Sequence, residues 1–97
     1  MKNNHNFGAM IRKLREESGE PLRIVAAAVG IDSTMLSKLE RGERFPTDEQ
    51  IKKFARYFKV PKDELSARAI ADRFVSHYGK HPAVGDALKL IKESIVR

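Results

Sequence analysis

Cysteine is absent from this sequence of 97 residues, and so is any long apolar run. Without cysteine the chain forms no disulfide, carries no thiol nucleophile and offers no thiolate ligand to a metal. Because a membrane-spanning helix needs about 20 apolar residues, we predict no membrane segment. The segment MKNNHNFGAM also lacks the apolar core of a signal peptide, and these absences together favour a cytoplasmic protein.

Catalytic and metal-binding patterns are missing as well. The sequence has no Gly-rich phosphate loop, no nucleophile elbow and no zinc-protease motif, so we expect no enzyme and no cofactor. His77 and His81 stand four residues apart, but Gly79 interrupts their helix and no cysteine completes a site. We therefore predict no metal centre. Apolar residues recur at helical and not at alternating spacing, which predicts an all-α fold.

Positive charge is what the chain has in excess. The formal net charge is +6, which suits a polyanionic partner, although many basic domains bind no nucleic acid. The length predicts one small domain, or one such domain with an appended arm. A chain of this size buries only a modest core, so a dimer interface would help to stabilise it.

The segment from Pro21 to Gly42, PLRIVAAAVGIDSTMLSKLERG, is the most informative part of the chain. It predicts two short helices joined by a turn that contains Gly30, as in a helix-turn-helix. Asp32 or Ser33 is expected to cap the second helix, and Gly42 to end it. At helical spacing this helix has one polar and basic face, made by Thr34, Ser37, Lys38 and Arg41. Such a face suits a helix that lies in the major groove of DNA.

Capping and helix-breaking residues divide the rest of the sequence. A first helix is predicted from about residue 6 until Gly19 ends it, and Pro21 opens the second helix. Thr47 and Gln50 match a capping box, which predicts the start of a fourth helix. Pro61 is expected to begin a fifth helix.

Several of these elements fall in the register of a known family. The matching residues are Ile11-Arg12, Leu14-Arg15, Ala26, Gly30-Ile31, the run Leu36-Ser37-Lys38-Leu39-Glu40-Arg41-Gly42, and Pro46. From Phe7 to about Leu65 the chain therefore resembles the XRE or lambda-repressor-like helix-turn-helix family. The resemblance implies a five-helix DNA-binding domain over residues 1–65. Residues 66–97 are then a C-terminal helical arm that adds one or two helices and is expected to form a dimer.

The family resemblance also implies roles for individual side chains. The residues at positions that meet base edges are Ser33, Thr34, Ser37 and Lys38. The candidate phosphate contacts are Arg23, Arg41 and Arg44. The family usually has Gln at the position of Leu22, where it holds a phosphate, so Arg23 is expected to take over that contact. Arg15 and Glu40 match a structural ion pair between the first and third helices.

The C-terminal arm has two apolar stripes at helical spacing. One runs from Ala67 to Tyr78, and the other consists of Val84, Leu88, Ile91 and Ile95. An amphipathic helix needs a partner for its apolar face, so we expect one helix to complete the core and the other to meet a second copy. The alternative is that both helices fold back on their own domain. Homodimers are common in the family.

These observations predict a sequence-specific, homodimeric transcriptional regulator that binds a pseudo-palindromic operator in double-stranded DNA. Small proteins of this kind resemble phage repressors and controller proteins of restriction-modification systems, and the segment LRIVAAAVGIDSTMLSKLERGERFP looks most like the latter. An alternative is an antitoxin that binds a toxin and represses its own operon. An activator would also touch RNA polymerase, and Glu43, Asp48 and Glu49 form a conceivable acidic patch for it, although helix capping and solubility explain them equally well.

Overall fold

A computed structural model describes residues 6–95 of the protein. Its helices, in chain order, are α1 (Asn6–Ser18), α2 (Leu22–Ala28), α3 (Ser33–Glu40), α4 (Asp48–Phe58), α5 (Lys62–Tyr78) and α6 (Val84–Ile95). No strand occurs between residues 6 and 95, so the predicted all-α fold is confirmed. The outer ends of the proposed ranges 1–65 and 66–97 lie outside the described residues. No helix of the described part is long and apolar enough to cross a bilayer.

Local side-chain caps start two of these helices. The Asp32 side chain accepts a hydrogen bond of 2.7 Å from the Met35 amide, which satisfies a free donor at the start of α3. Thr47 and Gln50 form a reciprocal capping box at the start of α4, with both hydrogen bonds at 3.0 Å. The boundaries of α3 and α4 therefore follow from interactions between residues only three positions apart.

One apolar core joins α1 to α5. Its buried members are Phe7, Ile11, Val25, Ala26, Val29, Leu36, Leu39, Ile51, Phe54, Ala55, Leu65 and Ala69. Phe7 and Phe54 meet edge to face, with ring centroids 5.7 Å apart, which is a favoured arrangement of aromatic rings. Gly8 lets α1 approach the end of α3, because a Cβ atom there would collide with the backbone carbonyl groups of Leu39 and Glu40.

The helix α5 runs without a break past residue 65, the boundary at which the family resemblance was expected to end. Ala69, beyond that boundary, is 4% exposed and belongs to the core. The Asp72 carboxylate accepts hydrogen bonds of 2.9 Å from the backbone amides of Asn6 and Phe7. The second half of α5 therefore supplies the negative N-terminal cap of α1. Ile70 belongs to the apolar stripe predicted along this part of α5, but it is 67% exposed and does not pack into the core.

The last helix, α6, packs little against the rest of the described chain. None of its residues is buried. Leu88, Ile91 and Ile95 are exposed, whereas Val84 is half-buried. An apolar groove lies between the end of α5 and α6, and is lined by Phe74, Tyr78, His81, Ala83, Val84, Ala87 and Ile91.

Candidate nucleic-acid interface

The turn between α2 and α3 is fixed by backbone geometry. Gly30 has a φ of +77°, a conformation that costs a glycine little. The Ile31 amide donates to the Ala26 carbonyl at 2.9 Å, and the Gly30 amide to the Ala27 carbonyl at 3.2 Å. These two bonds satisfy carbonyl groups at the end of α2, as in a Schellman motif. The turn therefore holds α3 at a defined angle to α2.

One side of α3 is packed and the other is open. Leu36 and Leu39 are buried against the core. The predicted base-contacting residues all lie on the first six positions of α3, where Thr34 is exposed and Ser33, Ser37 and Lys38 are half-buried. This arrangement presents hydroxyl and ammonium groups on a rigid helix.

The arginines predicted to contact phosphate lie at the two ends of the motif. Arg23 is exposed in the first turn of α2. Arg44 is exposed in the connection between α3 and α4. Arg41 is the C-terminal cap residue of α3 and is also exposed. All three guanidinium groups are therefore accessible to a ligand, and they belong to α2, to the end of α3 and to the connection that follows it.

Arg41 is held by two side chains in the free protein. Its Nε and Nη2 atoms donate to the Glu43 carboxylate at 2.8 and 3.1 Å, and Nη1 donates to the Ser37 hydroxyl. The hydrogen bonds from Arg41 to Glu43 raise the pKa of Arg41, with a further contribution from the charge of Glu43. Sequence reasoning missed this pairing, although the two residues stand only two positions apart.

The end of α3 is joined to α1 by a largely buried ion pair. Arg15 Nε donates to Glu40 Oε2 at 2.7 Å, and Arg15 Nη2 donates to Oε1 at 3.1 Å. The side chain of Glu40 is 6% exposed and that of Arg15 is 14% exposed. A third hydrogen bond, of 3.2 Å, runs from Arg15 to the Glu20 carbonyl group. The hydrogen bond to Glu40 raises the pKa of Arg15, so the arginine stays charged.

The acidic residues near the start of α4 are already engaged. Lys62 on α5 donates to Asp48 at 2.9 Å, and this bond lowers the pKa of the Asp48 carboxyl. Lys52 lies 3.8 Å from Glu49, and Glu43 binds Arg41. Each of these acidic residues is therefore paired with a basic side chain.

The two histidines near the end of α5 engage backbone groups. His77 Nδ1 lies 3.0 Å from the Arg73 carbonyl oxygen, and His81 Nδ1 accepts a hydrogen bond from the Ala83 amide. Within residues 6–95 no group of three or more histidine, cysteine or acidic side chains is placed to hold a metal.

The fold and the polar α3 face define a helix-turn-helix domain. The family model described as a helix-turn-helix domain matches residues 6–69. The chain therefore belongs to the helix-turn-helix domain family, and the XRE-type resemblance stated from the sequence is confirmed.

Two curated relatives come from Bacillus subtilis (strain 168). The uncharacterized HTH-type transcriptional regulator RghRB is 39% identical over 64 residues, which are 65% of this chain and 46% of RghRB. The HTH-type transcriptional repressor RghR is 34% identical over 65 residues, which are 66% of this chain and 48% of RghR. The matched part thus spans about half the length of each relative.

Solved structures of the clp gene regulator ClgR from Corynebacterium glutamicum share the fold. One superposes with a TM-score of 0.60 over 99% of this chain and 98% of that chain, at 21% identity. Another has a TM-score of 0.59, 24% identity, and coverage of 73% and 94% of the two chains. At these identities the likeness concerns the fold alone.

Proposed function

We propose that this protein is a sequence-specific transcriptional regulator that binds double-stranded DNA. The observation that carries the proposal is the open polar face of α3, held rigidly because Leu36 and Leu39 on its other side are buried. A helix of this kind suits insertion into the major groove. Membership of the helix-turn-helix family, and relatives named as transcriptional regulators, support the same function.

The first six positions of α3 supply the base contacts in this proposal. Lys38 donates to O6 and N7 of a guanine, which distinguishes guanine from the other bases. Hydroxyl groups both donate and accept, so Ser33, Thr34 and Ser37 discriminate between bases less sharply. Lys38 therefore accounts for most of the direct readout by these four residues.

The arginines supply the phosphate contacts. Arg23, in the first turn of α2, and Arg44, in the connection after α3, are exposed and are proposed to make these contacts. Each arginine that neutralises a phosphate releases counterions, so it strengthens binding to every sequence and makes the affinity depend on salt. These contacts orient the domain but carry no sequence information of their own.

A homodimer formed through α6 completes the proposed regulator. The apolar stripe of α6 has a symmetric spacing of four, three and four residues. In an antiparallel pair of α6 helices, Val84 then faces Ile95 of the second copy, and Leu88 faces Ile91. The stripe is exposed or half-buried in the single chain, so pairing would remove it from water. Two α3 helices related by this two-fold axis match a pseudo-palindromic operator.

The controlled genes are proposed to be those of a restriction-modification system. The alternative is that the exposed groove between α5 and α6 binds a toxin, which would make the protein an antitoxin that represses its own operon. Sedimentation of the purified chain distinguishes a second copy of the chain from a toxin as the partner, because a homodimer forms without a second protein. A methyltransferase and nuclease gene pair next door favours the controller, and a small toxin gene favours the antitoxin.

Selection of bound sites from random double-stranded DNA tests the central proposal. The full chain is expected to enrich a pseudo-palindrome whose half-sites lie about 34 Å apart, or a multiple of that distance. Enrichment of a single half-site would contradict the dimer while leaving DNA binding intact. No enrichment over the input library would contradict sequence-specific DNA binding itself.

A further inference from the structure

Glu43 lies beside the polar face of α3 without belonging to the helix. The Glu43 amide donates to the Lys38 carbonyl at 2.9 Å, and the Gly42 amide donates to the Leu39 carbonyl at 3.1 Å. Gly42, which stands between Arg41 and Glu43 in the chain, has a φ of +76°. This motif ends α3 and fixes the backbone of Glu43 next to Arg41.

The Glu43 carboxylate determines where the Arg41 guanidinium lies. Two hydrogen bonds join the groups, and a third contact runs from Arg41 to the Ser37 hydroxyl one turn earlier on α3. Helical spacing places Arg41 on the same face as Ser37 and Lys38. The guanidinium is therefore folded back along the face proposed to read bases.

Arg41 keeps hydrogen-bond donors that neither Glu43 nor Ser37 binds. Nε and one N–H of Nη2 are bound to Glu43, and one N–H of Nη1 is bound to Ser37. One N–H is left on each of Nη1 and Nη2. Two such donors in a plane match a pair of acceptors, such as O6 and N7 of guanine.

The pair contributes little to folding stability. The side chains of Arg41 and Glu43 are 51% and 52% exposed, and ion pairs in water at such exposure add little to stability. The pair matters more for the binding of a polyanion, because Glu43 orients the Arg41 guanidinium and offsets its positive charge.

We propose that Glu43 is a specificity-determining residue of the DNA-binding function proposed above. By holding Arg41, it changes the role of this arginine from the phosphate contact that the family resemblance implies, which favours any DNA, to an oriented pair of donors, which favours a guanine in the operator. Glu43 also lowers affinity for unrelated sequences, because its negative charge offsets one phosphate-attracting arginine.

Affinity measurements on two duplexes test this role. The probes are the duplex enriched from random DNA by the wild-type chain and a scrambled duplex of the same composition. Glu43→Gln is expected to bind the scrambled duplex more tightly and to steepen the salt dependence by about one unit of slope. The ratio of operator to scrambled affinity is expected to fall at least about fivefold.

A matched control removes the same charge elsewhere. Glu64 lies 3.8 Å from Arg68 on α5, so Glu64→Gln removes a carboxylate charge beside an arginine away from α3. This variant is expected to leave the affinity ratio unchanged. A similar fall in the ratio for Glu64→Gln would overturn the proposal, because net charge alone would then explain the effect.

The decisive measurement repeats Glu43→Gln in an Arg41→Ala background. If Glu43 acts through Arg41, the substitution no longer changes the affinity ratio there. An equal change in both backgrounds, or an unchanged ratio in the wild-type background, overturns the proposal. If the wild-type chain binds neither duplex, the proposed DNA-binding function itself fails, and that result is seen before any variant is made.

Discussion

The ion pair between Arg15 and Glu40 gives the sharpest test of what holds α3 in place. Removing one partner leaves the other charge largely buried, since the two side chains are only 14% and 6% exposed. Breaking a buried pair in this way costs about 3–5 kcal/mol of unfolding free energy. Because Arg15 is slightly exposed, we expect a cost at the lower end of this range, about 3 kcal/mol. For a domain of this size, that loss lowers the melting temperature by roughly 12–24 °C.

A double-mutant cycle separates the pair from general packing. We expect Arg15→Ala and Glu40→Ala each to destabilise the chain, and the double variant to cost about 2 kcal/mol less than the two losses combined. Urea denaturation, monitored by circular dichroism, measures the free energy of unfolding of the wild type, the two single variants and the double variant. The retained hydrogen bond from Arg15 to the Glu20 carbonyl is the reason that Glu40→Ala leaves the arginine only partly unpaired.

A second cycle on the same helix provides the control. Arg12 and Glu16 also pair, at 3.0 Å, but their side chains are 62% and 56% exposed. Their coupling energy is expected to stay below about 0.5 kcal/mol. Additive losses at Arg15 and Glu40, or equal coupling in the two cycles, would refute the reasoning that burial makes this pair strong.

Five further outcomes are expected. Arg44→Ala should weaken binding to all duplexes alike and flatten the salt dependence by about one unit of slope, whereas Lys38→Ala should relax one base position per half-site at a cost of about 1–3 kcal/mol. Leu88→Glu should yield a monomer in sedimentation. The control Leu90→Glu also replaces a leucine of α6, but one outside the stripe, and should remain dimeric. If both variants remain dimeric, α6 is excluded as the interface. Asp72→Ala should lower the free energy of unfolding by about 1–2 kcal/mol, because two amides at the start of α1 lose their acceptor. The hydrogen bond from Lys62 lowers the pKa of the Asp48 carboxyl. The stability that this pair contributes is therefore present above the unfolded-state pKa of Asp48 and is lost as the pH falls through its folded-state pKa. An NMR titration that gives Asp48 an ordinary pKa would contradict this.

Local sequence signals predicted the helix boundaries around the motif. The Asp32 cap, the capping box of Thr47 and Gln50, and the left-handed Gly30 each depend on atoms within a few residues of one another. Such interactions form in the same way wherever the segment sits in the fold, so a single sequence is enough to recognise them.

Contacts between distant segments were harder to predict. The pairing of Arg15 with Glu40 was implied only by family resemblance, because nothing in the spacing of the two residues indicates a contact. The cap that Asp72 provides for α1 was missed, since the partners are 65 and 66 positions apart. Glu43 was assigned to a conceivable acidic patch, and its bonds to Arg41 became visible only with the folded end of α3.

The sequence by itself determined the helical class, the position of the turn and the polar face of α3, because periodicity and capping are local properties of the chain. Only the tertiary structure decided that Asp72 on α5 caps α1, and that α6 keeps its apolar residues exposed. It also decided that Arg41 is held by Glu43 rather than extended into solvent. These features depend on which distant side chains the packing of the helices brings within hydrogen-bonding distance, and no local pattern specifies that.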